Sequence, residues 1–252
     1  MIKKIKSLFA FLTIFPVGMT EDCFVDASDL MYLFPAVGAL IGFMSGLFAL
    51  ALTYVLPKLL VGVAACGFIL LLTGLHHMDG LLDFGDGLMY QGPPEKKIEI
   101  MHDKQTGTGG FMLGLITVLL TALCISHLRK NIVLQSLTVS ETLAKLSMVV
   151  LAWSGKSAHK GTNTYFVNAM HGSHRKLRLG AALAISLVIA FLALKIAGLI
   201  TLAVSLIAAL IILWVSNRHF KGVTGDVMGA SNELTRMTAL FFILALASTS
   251  YI

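Results

Sequence analysis

Residues 73–92 of this 252-residue chain read TGLHHMDGLLDFGDGLMYQG, and their acids are the first candidates for chemistry. At about 100° per residue, Asp79, Asp83 and Asp86 fall within one sector of about 60° on a helix. Three carboxylates so placed repel one another unless a cation lies between them. Oxygen donors without cysteine suit Mg²⁺ or Mn²⁺, hard ions that keep waters and bind substrate phosphates as well. Gly80, Gly85 and Gly87 leave room beside the acids for a phosphate. They also weaken the helix, so a wound turn is the alternative. His76 shares the acidic face on ideal geometry and His77 does not. A solvated acidic helix end is the plainer explanation of the same residues.

Two further stretches add candidates. In EIMHDKQTGTGGFML, residues 99–113, Asp103 and Lys104 precede the turn Gly107-Thr108-Gly109-Gly110, which opens an apolar run. Free amides at a helix N-terminus attract phosphate, and glycines let it approach. In NRHFKGVTGDVMGASNELTR, residues 217–236, Asp226 lies between Gly225 and the small residues Gly229, Ala230 and Ser231, with Glu233 following. Such a carboxylate could complete a metal or sugar-hydroxyl site, and a helix cap explains it equally. The basic, histidine-bearing stretch 154–178 suits an anionic substrate or lipid headgroups.

These polar islands interrupt a very apolar chain. Hydrophobic residues make up 57% and charged residues 13%, with a mean hydropathy of +0.86. Ordinary soluble domains carry roughly 25% charged residues. An Asp at the centre of a membrane helix costs roughly 2.5–3.5 kcal/mol, so the three acids belong outside the hydrocarbon or hold a cation. Cys23, Cys66 and Cys124 form no CxxC pair, which argues against a disulfide framework or a cysteine-built metal site. The start, MIKKIKSLFAFLTIFPVG, has a basic and then apolar character without a small-residue cleavage site. It reads as an interfacial anchor helix over residues 1–20.

The elements that must position these residues form an all-α, polytopic membrane bundle with a single domain over 1–252. Seven spans are expected, at about 32–56, 59–75, 111–128, 131–153, 179–195, 198–216 and 237–252. The second is expected to run on helically through the acids. With a cytoplasmic N-terminus, 14 of the 19 basic residues fall in inside segments, Arg236 and Lys221 among them. Lys58, Arg129, Lys130 and Lys195 fall outside. Lys145 lies within a span, one turn from Glu141, and the two are expected to pair. All long connections then emerge on one cytoplasmic face of the cell membrane, the layout of an enzyme with one-sided chemistry.

The combined motifs resemble the cobalamin synthase family, the membrane-bound adenosylcobinamide-GDP ribazoletransferases. GLHHMDGLLDFGDG is similar to that family's G-G-L-H-L-D-G-L-A-D-x-x-D-G and carries over His77, Asp79, Gly80, Asp83, Asp86 and Gly87. EIMHDKQTGTGG carries over Glu99, Asp103, Gly107 and Thr108; GVTGDVMGASNE carries over Thr224, Gly225, Asp226, Gly229 and Glu233. LFAFLTIFPV resembles the family's N-terminal phrase. Leu75 stands where the family has its second glycine, His76 is an extra histidine, and Gln105 replaces a usual arginine. The family's R-P-E-G-L-G phrase is barely recognisable near SAHKGTNTYF.

The resemblance implies a reaction in which a ribose hydroxyl of α-ribazole, or of its 5′-phosphate, attacks adenosylcobinamide-GDP and GMP leaves. It further implies Asp79, Asp83 and Asp86 as a Mg²⁺ or Mn²⁺ group, with Asp103 or Asp226 as added ligands and Asp83 and Asp86 at the reacting centre. His77 is the expected general base. Lys104, Gly107, Thr108, Lys221, Thr224, Gly225 and Glu233 are expected at the substrate. The lipid bilayer is the expected surrounding, nucleic acid is not an expected partner, and association with other nucleotide-loop enzymes or a second copy stays open. A CDP-alcohol phosphotransferase is the first rival, since DFGDG satisfies its D-x-x-D-G opening. Its next element, A-R, is absent at Tyr90-Gln91. A transporter is the second rival, and it predicts acids inside spans or at both mouths.

Overall fold

A computed structural model describes residues 1–17 and 22–249. It is all-helical apart from one isolated parallel bridge between Ser157 and Val223. The elements in chain order are α1 (Ile2–Leu12), α2 (Cys23–Asp29), a 3-10 turn (Met31–Leu33), α3 (Phe34–Leu52), α4 (Lys58–Leu72) and α5 (His76–Met89). They continue with α6 (Pro94–Met101), α7 (Thr108–His127), α8 (Val133–Ser154), α9 (Asn163–His171), α10 (Arg175–Phe220) and α11 (Gly225–Ser248).

Three helical stretches are each long and apolar enough to cross a membrane: Met31–Leu52, Thr108–His127 and Arg175–Phe220. A fourth arises if α4 and α5 count as one broken span. The chain is therefore a multi-pass membrane protein. Each of the seven predicted stretches is largely helical, the first and second running on into turns at 53–56 and 73–75, and residues 250–252 of the last, like 18–20 of the expected anchor, lie outside the described residues. At 15 residues α4 is about 22 Å long, short of the roughly 30 Å of hydrocarbon.

The 46-residue α10 is two helices. Lys195 has φ 53° and ψ −131°, and a Cβ on Gly198 would strike the Ala190 carbonyl, so the chain doubles back there. Straight, it would run about 69 Å. Instead both its ends meet the C-terminal side of α8. Arg175 donates to the Trp153 carbonyl at 3.4 Å, and the Val223 amide donates to the Lys156 carbonyl at 2.7 Å.

α8 is the central element, buried from Val139 through Ala152 without interruption. A helix enclosed on all sides can carry charge only if the charges are paired. Glu141 and Lys145 pair at 3.6 Å as expected from the sequence, and three residues of α11, two of them charged, complete the group. Arg236 bonds both Glu141 and Glu233, and Lys145 donates to Asn232 Oδ1 at 2.7 Å. Two acids and two bases cancel in the middle of the bundle. Arg236, expected in a cytoplasmic connection, is only 1% exposed.

The second span does not run straight on through the acids. Between α4 and α5 the axis turns by 96°, with Gly74 at φ 65° and Leu75 at φ 62°. Two successive left-handed residues end α4, and α5 starts afresh across the bundle end. The left-handed region is unfavourable for a residue with a Cβ, so a leucine at this position carries strain.

N-terminal α1 packs on α2, and Leu8 and Leu12 are buried. Lys3 pairs with Asp22 at 2.9 Å and Asp26 at 3.5 Å, and Lys4 pairs with Asp29. These lysines, expected at headgroups, tie α1 to the rest of the fold.

Two stability predictions follow from this architecture. Arg236→Met, which strands two buried carboxylates beside one lysine, should cost about 3–5 kcal/mol in detergent-solubilised protein. Adding Glu141→Gln should recover part of that loss in the same thermal melts. Leu75 is 48% exposed, so Leu75→Gly relieves the backbone with little packing lost. That variant should raise Tm by about 2–4 °C.

Candidate active site

Helix α5 is held by close backbone approaches on three sides. A Cβ on Gly80 would lie 2.9 Å from Asp226 Cα on α11, and one on Gly85 would lie 2.8 Å from Gly110 Cα on α7. One on Gly87 would meet Met101 Cγ on α6 at 2.5 Å. The space assigned to a phosphate from the sequence is thus filled by neighbouring helices. α5 nevertheless remains a continuous helix, and the wound-turn alternative does not occur.

Its two ends are secured differently. At the C-terminus, Lys97 of α6 donates to the carbonyls of Gly87 at 3.2 Å, Leu88 at 3.1 Å and Tyr90. An ammonium on the last carbonyls of a helix complements its dipole. Burial pushes Lys97 below the usual lysine range. Near the same end, Asp86 accepts from the Gly107 amide at 2.7 Å and the Gly110 amide at 2.8 Å. The Gly-rich turn therefore does bind an anion at the start of α7, and that anion is Asp86 itself. A Cβ on Gly107 would sit 2.5 Å from Asp86 Oδ1, which explains the glycine.

Asp79 is exposed and Asp83 half-buried on the same face. Burial first, and then the charges of Asp226, Asp79 and Asp86, pushes the Asp83 carboxyl up to about 7. Asp226 is brought in by the start of α11. Thr224 caps that helix, accepting from the Val227 amide at 3.1 Å, and its hydroxyl lies 3.2 Å from Asp226 Oδ2. Burial pushes the Asp226 carboxyl up from its ordinary range, while nearby His102 and the Thr224 hydroxyl draw it back. His102 also stands edge-on to His159 at 5.1 Å. Nothing local in the sequence links position 102 to 159 or 226.

The ion pairs among the described residues use Asp22, Asp26, Asp29, Glu95, Glu99, Glu141 and Glu233, and none of the four aspartates gathered here. Carboxylate oxygens without an internal counter-charge are the donor chemistry that a hard divalent cation takes. As the side chains stand, no three His, Cys, Asp or Glu groups among the described residues converge as a ready-made metal site.

The other expected site residues lie as follows. Asp103 and Lys104 are exposed in the α6–α7 turn, with Asp103 Oδ1 accepting from the Gln105 amide at 3.3 Å. Thr108 is the exposed first residue of α7, and Gly225 the exposed first residue of α11. Lys221 pairs with Glu95 at 2.9 Å. Glu233 is 2% exposed and faces the interior, where Arg236 and Asn232 take its carboxylate.

Beside Asp226 opens a cavity of about 180 Å³, lined by His76, His77, Thr162, Asn163, Phe11, Phe34, Phe166, Met148 and Met228 with the backbone of Gly225 and Gly229. Its aromatic wall comes from α1, α3 and α9, three elements far apart in sequence. His77 is buried, and its Nδ1 finds no hydrogen-bond partner among the described residues. Residues 154–178, unassigned to any site residue from the sequence, supply Thr162, Asn163 and Phe166.

Carboxylates lacking internal counter-charges, on the rim of a cavity at one end of an apolar bundle, define an integral-membrane enzyme with a polar site at that end. The chain belongs to the cobalamin-5-phosphate synthase (CobS) family, whose sequence profile matches residues 4–244. It is 36% identical to the adenosylcobinamide-GDP ribazoletransferase of Methanocella arvoryzae over 94% of this chain and 93% of that protein. The namesake of Methanococcoides burtonii is 32% identical over 98% and 93%, and that of a Thermoanaerobacter species 30% over 98% of each. No solved structure matches significantly.

Asp86→Ala should free the start of α7 and cost about 1–2 kcal/mol, the range for a lost helix cap. Hydrogen exchange at the Gly107 and Gly110 amides should accelerate in that variant, and unchanged protection at both would show that Asp86 does not hold them.

Proposed function

We propose that this chain transfers the cobinamide-phosphate group of adenosylcobinamide-GDP to the ribose hydroxyl of α-ribazole or its 5′-phosphate, releasing GMP. The single observation that carries the reading is the packing of α5, with Asp79, Asp83 and Asp86 on one face, against Asp226 of α11 at Gly80, beside the His76–His77 cavity, in a chain of this family. A diphosphate substrate must approach carboxylates that take part in no ion pair among the described residues, and a cation between them makes that approach favourable. Asp79, Asp83 and Asp226 would hold Mg²⁺ or Mn²⁺, with Asp86 contributing whatever capacity its two amide bonds leave. Bound there, the ion supplies charge neutralisation for diphosphate and leaving group.

The chain's own residues do the rest. The hydroxyl oxygen forms a bond to the phosphorus that bears the cobinamide arm, the bond from that phosphorus to the GMP oxygen breaks, and the hydroxyl proton passes to a base. His77, walled in beside the cavity, is our candidate, and it needs no charge to accept a proton. Asp103 and Lys104, in the turn before α7, and Thr108 and Gly225, at the starts of α7 and α11, would meet substrate from solvent, a role their exposure supports. Lys221 reaches substrate only if it leaves Glu95. Glu233 acts from below, through the buried group that fixes α11. We further propose seven spans with the site facing the cytoplasm, as the distribution of basic residues favours.

The test is GMP release by purified protein in lipid bilayers, with adenosylcobinamide-GDP and α-ribazole 5′-phosphate. Wild type should release GMP and form a complete cobamide with Mg²⁺ or Mn²⁺. Asp83→Asn, or wild type in EDTA, should fall by about 100-fold. A folded Asp83→Asn as active as wild type would remove Asp83 from the site.

A further inference from the structure

The reading above leaves open which part of which substrate enters the cavity. Its wall is made by Phe11, Phe34 and Phe166, whose rings lie 4.8 Å (Phe11–Phe166) and 5.9 Å (Phe34–Phe166) apart, centroid to centroid. Phe34 and Phe166 are buried, at 0% and 3% exposure. A volume of about 180 Å³ admits one flat ring system, since a cavity of roughly 150 Å³ takes benzene. A corrinoid macrocycle is excluded by size.

Polar capacity narrows the choice among flat rings. Five polar residues line the cavity, His76, His77, Thr162, Asn163 and Asp226; Asp226 is assigned to the ion above, and the Asn163 side-chain nitrogen already donates to Ser157 Oγ and the Val223 carbonyl, both at 2.7 Å. His77 is 96% buried, lines the cavity, and its Nδ1 is without a partner among the described residues. A guanine ring presents donors and acceptors along a whole edge, and each would need a match once water is excluded. The site instead suits a heterocycle with apolar flanks and a single free ring nitrogen.

We infer that the cavity behind His77, walled by Phe11, Phe34 and Phe166, binds the bicyclic heteroaromatic base of the acceptor nucleoside. The base lies against phenylalanine rings, and the attached ribose extends past Asp226 toward Asp83. This rests on the transferase reading, because it assigns the acceptor to a subsite of the same centre. Phe166 is a specificity-determining residue of that subsite, set by α9, and makes no contact with the transferred phosphorus.

The experiment uses the full chain in lipid nanodiscs without donor. Equilibrium dialysis with a radiolabelled benzimidazole ribonucleoside should show saturable binding to wild type, weakened about tenfold in Phe166→Ala, the loss of one aromatic wall from a base. Phe166→Trp, which fills the cavity with a buried aromatic retained, should weaken it at least as much. Thermal melts identify the variants that remain folded. In turnover, Phe166→Ala should raise KM for the acceptor about tenfold and leave KM for the donor and kcat at saturating acceptor unchanged. Equal acceptor affinity in wild type and both folded variants overturns the assignment, as does a rise confined to the donor KM. Nucleoside binding without any GMP release overturns the transferase reading and leaves the base site standing. GMP release with unaltered acceptor KM does the reverse.

Discussion

Four buried charges at the centre of an apolar bundle constrain everything around them. Glu141 and Lys145 on α8 face Glu233 and Arg236 on α11, and none of the four is more than 2% exposed. Desolvating such groups is expensive, and their mutual attraction offsets the cost only when the geometry is kept. The two helices therefore have one register in which the charges cancel. A slip of one residue in α11 would leave an unpaired ion in hydrocarbon-like surroundings. The start of α11 follows from that register, and with it Asp226, its Thr224 cap and the close contact of Gly229 with the His77 carbonyl. α3 joins the same constraint, because Gly38 lies against the Glu141 carbonyl and the Lys145 side chain.

The acids of α5 sit in an oil-rich sequence because α5 leaves the direction of the spans. The 96° turn after α4 lays it across one end of the bundle. There, α7, α11 and α6 abut its glycines, while Lys97 and Asp86 convert its loose end into two electrostatic joints. Asp86 serves α7 by neutralising part of its N-terminal dipole, and α7 in turn withdraws some of the negative charge facing Asp83. A carboxylate helix bound on three flanks keeps its repelling acids close together, which a free helix end would not do.

Local pattern was legible in the sequence, and contact between distant elements was not. The common face of Asp79, Asp83 and Asp86 follows from helical period alone, and so does the Glu141–Lys145 pair. The Gly-rich turn located the start of α7, while α11 begins at Gly225, well before the span expected at 237–252. Arg236 looked like a surface charge because its partner Glu141 lies 95 residues away on another helix. Gly80, Gly85 and Gly87 looked like openings for a ligand because a sequence does not say which backbone comes up against a glycine. Leu75 hid the turn, since leucine is a poor signal for a left-handed conformation. The aromatic wall was invisible for the same reason as Arg236. Phe11, Phe34 and Phe166 lie within one cavity but in three helices, and each alone reads as an ordinary apolar residue.

That wall also draws on the N-terminal helix. Here Leu8 and Leu12 are buried, Lys3 and Lys4 pair with α2 acids, and Phe11 stacks against Phe24, Phe34 and Phe166. Arg178, at the start of α10, reaches Asp29 at 4.0 Å and donates to the Ala169 carbonyl at 2.8 Å, so α2, α9 and α10 close around the same region. The exposed pairs in this assembly are individually weak. The fixed position of α1 rests instead on the apolar contacts of Phe11 and its neighbours, which are the contacts that form the cavity. Anchoring the N-terminus and shaping the site are then one packing event, with the N-terminal helix supplying a side chain to the wall beside the acids.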